Sequence, residues 1–428
     1  MKTKLLIFFI LLNSGFASAQ LSKEEKKIIT YINAHFKESE DLLIESVNIN
    51  SGTLNVEGVR KVGDVYRKEF DRLGFKTEWV SMPDSLKRAG HLVATRQGSK
   101  GKKIFIIGHL DTVFEPDMSF SPYTKLNDST ATGQGVNDMK GGDVVVISAL
   151  KALNSLGLLK NTQLIVYFTG DEERKGSPYA VARKDFIERG RTCDVALSFE
   201  TAQGLNSVLA ARRGSTKWQL KVTANTGHSA GIFGNSGYGA IYEASRIINT
   251  FREELPEKNL TFNPGLIAGG SEVKFDNTNA TAQLIGKSNI IPPSTFVVGD
   301  LRFISEEQEM KTREKMRVIV AQSLKGTKSE ITFFSGLPAM QPTDGNYQLV
   351  KLIDKVSNDM GIGNTVAGDP GGRGAADISD VAKYLDAVDG LGTSGGGAHK
   401  PGEWINLKHF PLQIQRAALL IYRLTKEK

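Results

Sequence analysis

A chain of 428 residues, 40% hydrophobic and 24% charged, is too long for one ordinary core and predicts two or three domains. Its net charge is +7, but the basic residues are dispersed and the densest cluster, Ser99–Lys103, reads as a solvated turn. No basic stripe interleaves with aromatics, which argues against nucleic acid as a partner.

The first 19 residues differ from the rest. Lys2 and Lys4 precede an apolar run, Leu5–Leu12, and then Ala17-Ser18-Ala19. That order predicts a secretory signal cleaved after Ala19, too short to span a bilayer, and hence a periplasmic or secreted protein. A short membrane anchor is the alternative. No cysteine follows the run, so a lipid-modified terminus is not expected, and no later stretch predicts stable membrane insertion. Losing Lys2 and Lys4 leaves 52 basic against 47 acidic residues, a charge of +5. Cys193 is the one cysteine, so no intrachain disulfide forms. It stands directly before the strand-like Asp194–Phe199 and reads as a buried structural thiol rather than a nucleophile.

Apolar residues recur at helical spacing from Leu21 to Ile49. Strand and helix then alternate: strand Lys102–Gly108, helix Gly141–Gly157, strand Thr162–Thr169, helix Pro178–Gly190, strand Cys193–Phe199. This rhythm predicts an α/β fold, a largely parallel sheet flanked by helices, with ligands gathering at the carboxyl ends of its strands. Near Arg213 the texture changes. Ser215–Asn225 alternates like a half-exposed antiparallel strand, Tyr238–Leu255 and Glu306–Gly326 read as helices, and Ser271–Asp276, Thr281–Gly286, Thr295–Ile304 and Ser329–Ser335 read as strands. An inserted α+β domain over residues 213–335 follows, interrupting a catalytic domain made of 20–212 and 336–428. The chain closes with an amphipathic helix, Pro411–Leu424.

Short polar motifs fall at the strand ends. GHLDTVF places His109 and Asp111 just past one strand, with both side chains on the same side of an extended chain. GQGVNDMKGG sets Asp138 before a helix. TGDEERKGS places Asp171, Glu172 and Glu173 after the most apolar strand, LSFETAQG places Glu200 after another, and GGGAHKPGE holds His399 in a glycine-rich loop. A lone histidine is more often packed or exposed than a ligand, and a lone Asp before a helix is more often a cap. Together, histidines and carboxylates without cysteine suit zinc, cobalt or manganese.

As a set, these motifs resemble the zinc carboxypeptidase and aminoacylase family, the glutamate carboxypeptidase-like di-zinc metallopeptidases, and the likeness spans nearly the whole chain after the signal. It implies two Zn2+ per subunit, one on His109, Asp138 and Glu200 and the other on Asp138, Glu173 and His399, with Asp138 bridging. It further implies Glu172 as the general base toward a metal-bridged water, Asp111 as the residue orienting the His109 imidazole, and a cis bond between Asp138 and Met139. In the insert, His228, Asn289 and Arg302 would hold the reacting carbonyl oxygen and the substrate carboxylate. The insert would act as a lid and pair with its copy in a homodimer, His228 serving its own or the partner's site. For Arg302 the residues themselves give a reason: an arginine on an otherwise apolar strand needs an anion, a substrate carboxylate or an internal salt bridge. Asp171 reads as a loop-stabilising acid. Two departures stand out, Leu337 where glutamate-preferring relatives carry a basic residue, and Gly371–Ser379 in place of a Gly-Gly-Thr-Asp run.

The expected activity is hydrolysis of the amide before a free C-terminal amino acid of a small peptide. Deacylation of an N-acyl amino acid is the runner-up, and a non-catalytic dimeric binding protein the third reading.

Overall fold

A computed structural model describes residues 21–276 and 281–426. The signal-peptide reading, residues 1–19, lies outside the described residues. No helix among the described residues is long and apolar enough to cross a membrane.

The main sheet has six strands in the order Lys76–Val80, His91–Arg96, Thr162–Thr169, Lys100–His109, Val195–Ser198, Asp386–Val388. Only His91–Arg96 runs against the others, so the sheet is mixed and largely parallel. Alternation along the central strand sends Ile104 and Ile106 to one face and Phe105 and Ile107 to the other, and both faces are covered. On the first face lie the helices Lys140–Ser155 and Phe410–Lys426, the latter buried along most of its length. Phe186, Met340, Ile378 and Val381 cover the second face.

The stretch Leu21–Ile49 forms two helices, Lys23–Ala34 and Phe36–Val47, broken at His35. There the imidazole stacks on Tyr31 and its Nδ1 meets the Tyr31 carbonyl at 2.8 Å, which stops the first helix. Pro178–Gly190 is likewise split, into Tyr179–Ala182 and Lys184–Gly190. Arg183 sits at the break with its side chain fully buried, donating to Asp171 Oδ1 at 2.6 Å and to Asp377 Oδ1 at 3.0–3.1 Å. Burial alone would raise the Asp377 carboxyl, but Arg183 and Lys175 hold it below the usual carboxylate range. Its stabilising effect is therefore present at neutral pH and lost as pH falls through and beyond that range. Arg183→Leu would strand two buried carboxylates, and a loss of about 3–5 kcal/mol in urea unfolding is expected. A loss under about 1 kcal/mol would show that the network contributes nothing.

A second sheet orders Thr261–Gly270, Ser294–Phe303, Gly214–Ala224 and Thr327–Phe333, every neighbouring pair antiparallel. The helices Gly239–Glu254 and Glu306–Ala321 cover one face around Trp218, Leu220, Ile247, Phe251, Val297, Leu301 and Met316, a core separate from that of the main sheet. Thr261–Gly270 escapes sequence reading because Pro264 and Gly265 interrupt it. The strand tolerates them by lying at the sheet edge and bulging between Pro264 and Leu266.

Candidate dinuclear metal centre

Three adjacent parallel strands end side by side and deliver the acids and one histidine to a single edge. His109 is the last residue of Lys100–His109, Glu172 and Glu173 follow Thr162–Thr169, and Glu200 follows Val195–Ser198. Asp138 arrives from the turn that starts Lys140–Ser155, through a cis Asp138–Met139 bond. His399 reaches in from the glycine-rich loop at φ 63°, a left-handed conformation that costs a non-glycine residue roughly 1–3 kcal/mol.

Two triads result. The ligand atoms of His109, Asp138 and Glu200 lie within 4.8 Å of one another, as do those of Asp138, Glu173 and His399. His109 Nε2 stands 3.3 Å from both Asp138 Oδ1 and Glu200 Oε1. On the other side, His399 Nε2 stands 3.2 Å from Asp138 Oδ2 and 3.1 Å from Glu173 Oε2. Asp138 thus turns one oxygen to each triad. Ligands at 2.0–2.1 Å from a tetrahedral zinc ion stand about 3.3 Å apart, so the spacing fits a metal at each triad. His109 Nε2 is buried and faces only these two carboxylate oxygens, as a ligand atom would.

Electrostatics favour positive charge at both triads. Burial opposes a proton on His109, yet hydrogen bonds to Asp138 and Glu200 raise the imidazole well above its ordinary value. Hydrogen bonds to Asp138 and Glu173 push His399 up to about 10. Burial raises Glu173, and it pushes Glu172 to about 8 against the pull of Lys175. Burial also raises Asp138, but His109 and His399 outweigh it and hold this carboxyl low. Carboxylates that favour protons on two imidazoles in this way favour a divalent cation at the same place.

Asp111 meets the His109 imidazole through its backbone and does a second job with its carboxylate. The His109 Nδ1 contact of 3.0 Å is to the Asp111 backbone carbonyl, while the carboxylate oxygen lies at 3.6 Å. That carboxylate instead accepts from Glu172 N (3.0 Å), Glu173 N (3.1 Å) and Thr53 Oγ1 (2.6 Å), so it fixes the backbone that carries both glutamates. Asp171 does stabilise its loop, accepting from Gly176 N at 2.8 Å as well as from Arg183. Cys193 is buried and its thiol is raised to about 11, mainly by burial, which removes it as a nucleophile at neutral pH.

Sequence reading missed Glu403. It is 1% exposed and accepts from the amides of Gly135, Asn137 and Asp138 at 2.8–3.0 Å, shaping the turn that presents Asp138. Its only signal was its place four residues after His399. Asp377, in the departing loop, was missed as well.

His228 and Asn289 come together in two loops outside the strands of the second sheet, where Ser229 N donates to Asn289 O at 3.0 Å, and both side chains are exposed. Arg302 is not without an anion: its Nε meets Asp300 Oδ2 at 2.9 Å, two residues back on the same face of the strand. Arg302 also packs against the loop at Gly374. The neighbouring Arg373 donates to Thr201 O at 2.8 Å, which ties that loop to the segment after Glu200.

Known proteins resemble this chain in sequence and in fold. The chain is 29% identical over 386 residues to carboxypeptidase G2 of Pseudomonas sp. (strain RS-16), covering 88% of this chain and 86% of that one. It is 23% identical over 323 residues to succinyl-diaminopimelate desuccinylase of Psychrobacter arcticus, covering 72% and 76%. In fold it is similar to aminopeptidase PepT of Bacillus cereus, with a TM-score of 0.71 at 16% identity over 94% of this chain and 98% of that one. It is also similar to YXEP of Bacillus subtilis, a dinuclear metal-binding peptidase of the M20 family, with a TM-score of 0.64 at 14% identity over 92% and 100%. The profile of peptidase family M20/M25/M40 matches residues 105–423, from the central strand of the main sheet into its last helix, and the chain belongs to that family of metallopeptidases.

Proposed function

We propose that this metallopeptidase, of the carboxypeptidase or dipeptidase type, removes a free C-terminal amino acid from small peptides. In this reading two zinc ions sit on His109–Asp138–Glu200 and Asp138–Glu173–His399. The observation that carries the reading is the Asp138 carboxylate, whose Oδ1 faces one triad and Oδ2 the other. When bound, a pair of divalent ions supplies polarisation of the scissile carbonyl and an acidified water. Glu172 takes the proton of the attacking water and returns it to the departing amine. Its burial in the neighbourhood of other carboxylates favours the protonated state that the second transfer needs. Asp111 keeps Glu172 and Glu173 in register, so that one acts as base while its neighbour remains a ligand.

Arg302 recognises the terminal carboxylate, with Asn289 and His228 alongside. Asp300 keeps the guanidinium in place until substrate arrives. Because the Arg302 side chain is 39% exposed, the loss on truncation belongs at the low end for such pairs. Arg302→Ala should cut kcat/KM about 30-fold, equivalent to about 2 kcal/mol, with metal content unchanged. Amidating the substrate carboxylate should cost wild type a similar factor and the variant little more. Equal cleavage of amidated and free substrates would point to an amidase or endopeptidase.

Deacylation of an N-acyl amino acid is the second reading, supported by the desuccinylase relative. A comparison of N-acetyl amino acids with blocked dipeptides separates the two. Two further features belong to the proposal. Residues 1–19 export the chain, so the mature protein begins at Gln20, which N-terminal sequencing tests. The inserted sheet pairs with its copy: its edge strand Thr261–Gly270 and the exposed Ile241, Tyr242 and Ile267 offer a surface that a partner would cover. Sedimentation that gives a monomer at micromolar concentration would remove the dimer.

A further inference from the structure

The chemistry above uses the Glu172 side chain, yet Asp111 holds only its backbone amide. Lys175 is the residue that approaches the carboxylate itself. Its Nζ lies 3.7 Å from Glu172 Oε1 and 3.1 Å from Asp377 Oδ1, and its side chain is 11% exposed. Asp377 has no need of this lysine for its own hydrogen bonds. One oxygen takes Arg183 through Nε at 3.1 Å and Nη2 at 3.0 Å, and the other takes Thr169 Oγ1 at 2.6 Å. Removing an ammonium from water is costly, and an apolar side chain would fill the same space without that cost. Asp380 also feels this charge from farther away, but Asp377 and Asp380 both have Arg183 as a partner, whereas Lys175 is the cation within 4 Å of Glu172.

We propose that Lys175 is the positioning residue for Glu172. Asp377, locked by Arg183 and by Thr169 at the end of the strand Thr162–Thr169, aims the ammonium at Oε1 and leaves Oε2 to exchange the proton. The side chain is thereby held in one rotamer at the moment of transfer, when a small misplacement is expensive. The inference rests on the assignment of Glu172 as base.

Lys175→Met keeps the stem and removes the charge. The expected result is a fall in kcat of about 10- to 100-fold, the usual range for a group that orients a reacting residue. KM should change less than about twofold, with the bound-metal count close to wild type, while the melting temperature falls because the buried Asp377 loses one of its two cations. The decisive readout is a double-mutant cycle. In a Glu172→Gln background the same substitution should leave the residual kcat nearly unchanged, because Lys175 acts only through the carboxylate that is already gone. Multiplied losses in the double variant, a wild-type kcat for Lys175→Met, or loss of metal along with activity would each overturn the proposal. Should Lys175→Met not fold, Lys175→Gln is measured in the same way, and failure of both to fold assigns Lys175 to the fold and overturns the proposal. If Glu172→Gln itself turns over normally, the base assignment falls. If Glu172→Gln is impaired and Lys175→Met is not, only the role of Lys175 falls.

Discussion

Asp138→Ala is expected to empty both triads together and to abolish turnover. His109 Nε2 and His399 Nε2 each face a different oxygen of this one carboxylate, at 3.3 and 3.2 Å, so no other single truncation removes a ligand from both sites. The alanine variant would leave His109 with Glu200 and His399 with Glu173, two ligands apiece where three were gathered. Two-ligand sites bind weakly at neutral pH, and the charge stabilisation that metals supply is worth several kcal/mol. A fall in kcat/KM on the order of 10³-fold or more follows. Glu200→Ala or His399→Ala should differ, weakening one ion while the other stays. Metal analysis after gel filtration and a standard peptidase assay check both outcomes. Two bound ions and normal turnover in Asp138→Ala would remove the shared-ligand arrangement.

The next largest effect separates two neighbours. Glu172→Gln keeps the size of the side chain and removes the proton acceptor, so turnover should drop by about 10²-fold or more with metal retained. Glu173→Gln should instead lower metal affinity, because Glu173 Oε2 lies 3.1 Å from His399 Nε2 in the second triad. Activity of the Glu173 variant should return in part with excess zinc, whereas that of the Glu172 variant should not. The opposite pattern would mean that the roles are shifted by one residue. Because Asp111 ties the backbone amides of both residues, Asp111→Ala should impair the two functions together.

What the sequence made legible followed from local chemistry. The runs Ile104–Ile107 and Leu164–Phe168 are so apolar that only strands covered on both faces accommodate them, and the polar residues just beyond them had to lie at the sheet edge. His109 and Glu173 were found this way and Glu200 after a third strand, whereas Asp138 before a helix and His399 in a glycine-rich loop were named from their motifs, and the family resemblance fixed how the five divide between two ions. Residues whose roles arise from distant contacts were not legible. Glu403 reaches its amide partners across some 265 residues of sequence, and Thr53 meets Asp111 from a different turn. Lys175 is held by Asp377, which folds in from the far end of the chain. The break at His35 and the edge strand Thr261–Gly270 were lost for the same reason, since a stacked imidazole and a bulged sheet edge are tertiary facts. Arg302 was a partial reading: its need for an anion was sound, but alternation also places Asp300 on its face.

The central claim is a pair of metal ions sharing Asp138, and anomalous scattering at the zinc edge from crystals of the zinc-loaded protein tests it most directly. Two peaks are predicted, one among His109, Asp138 and Glu200 and the other among Asp138, Glu173 and His399, with a separate carboxylate oxygen of Asp138 toward each. A single peak, or peaks away from these residues, would contradict it.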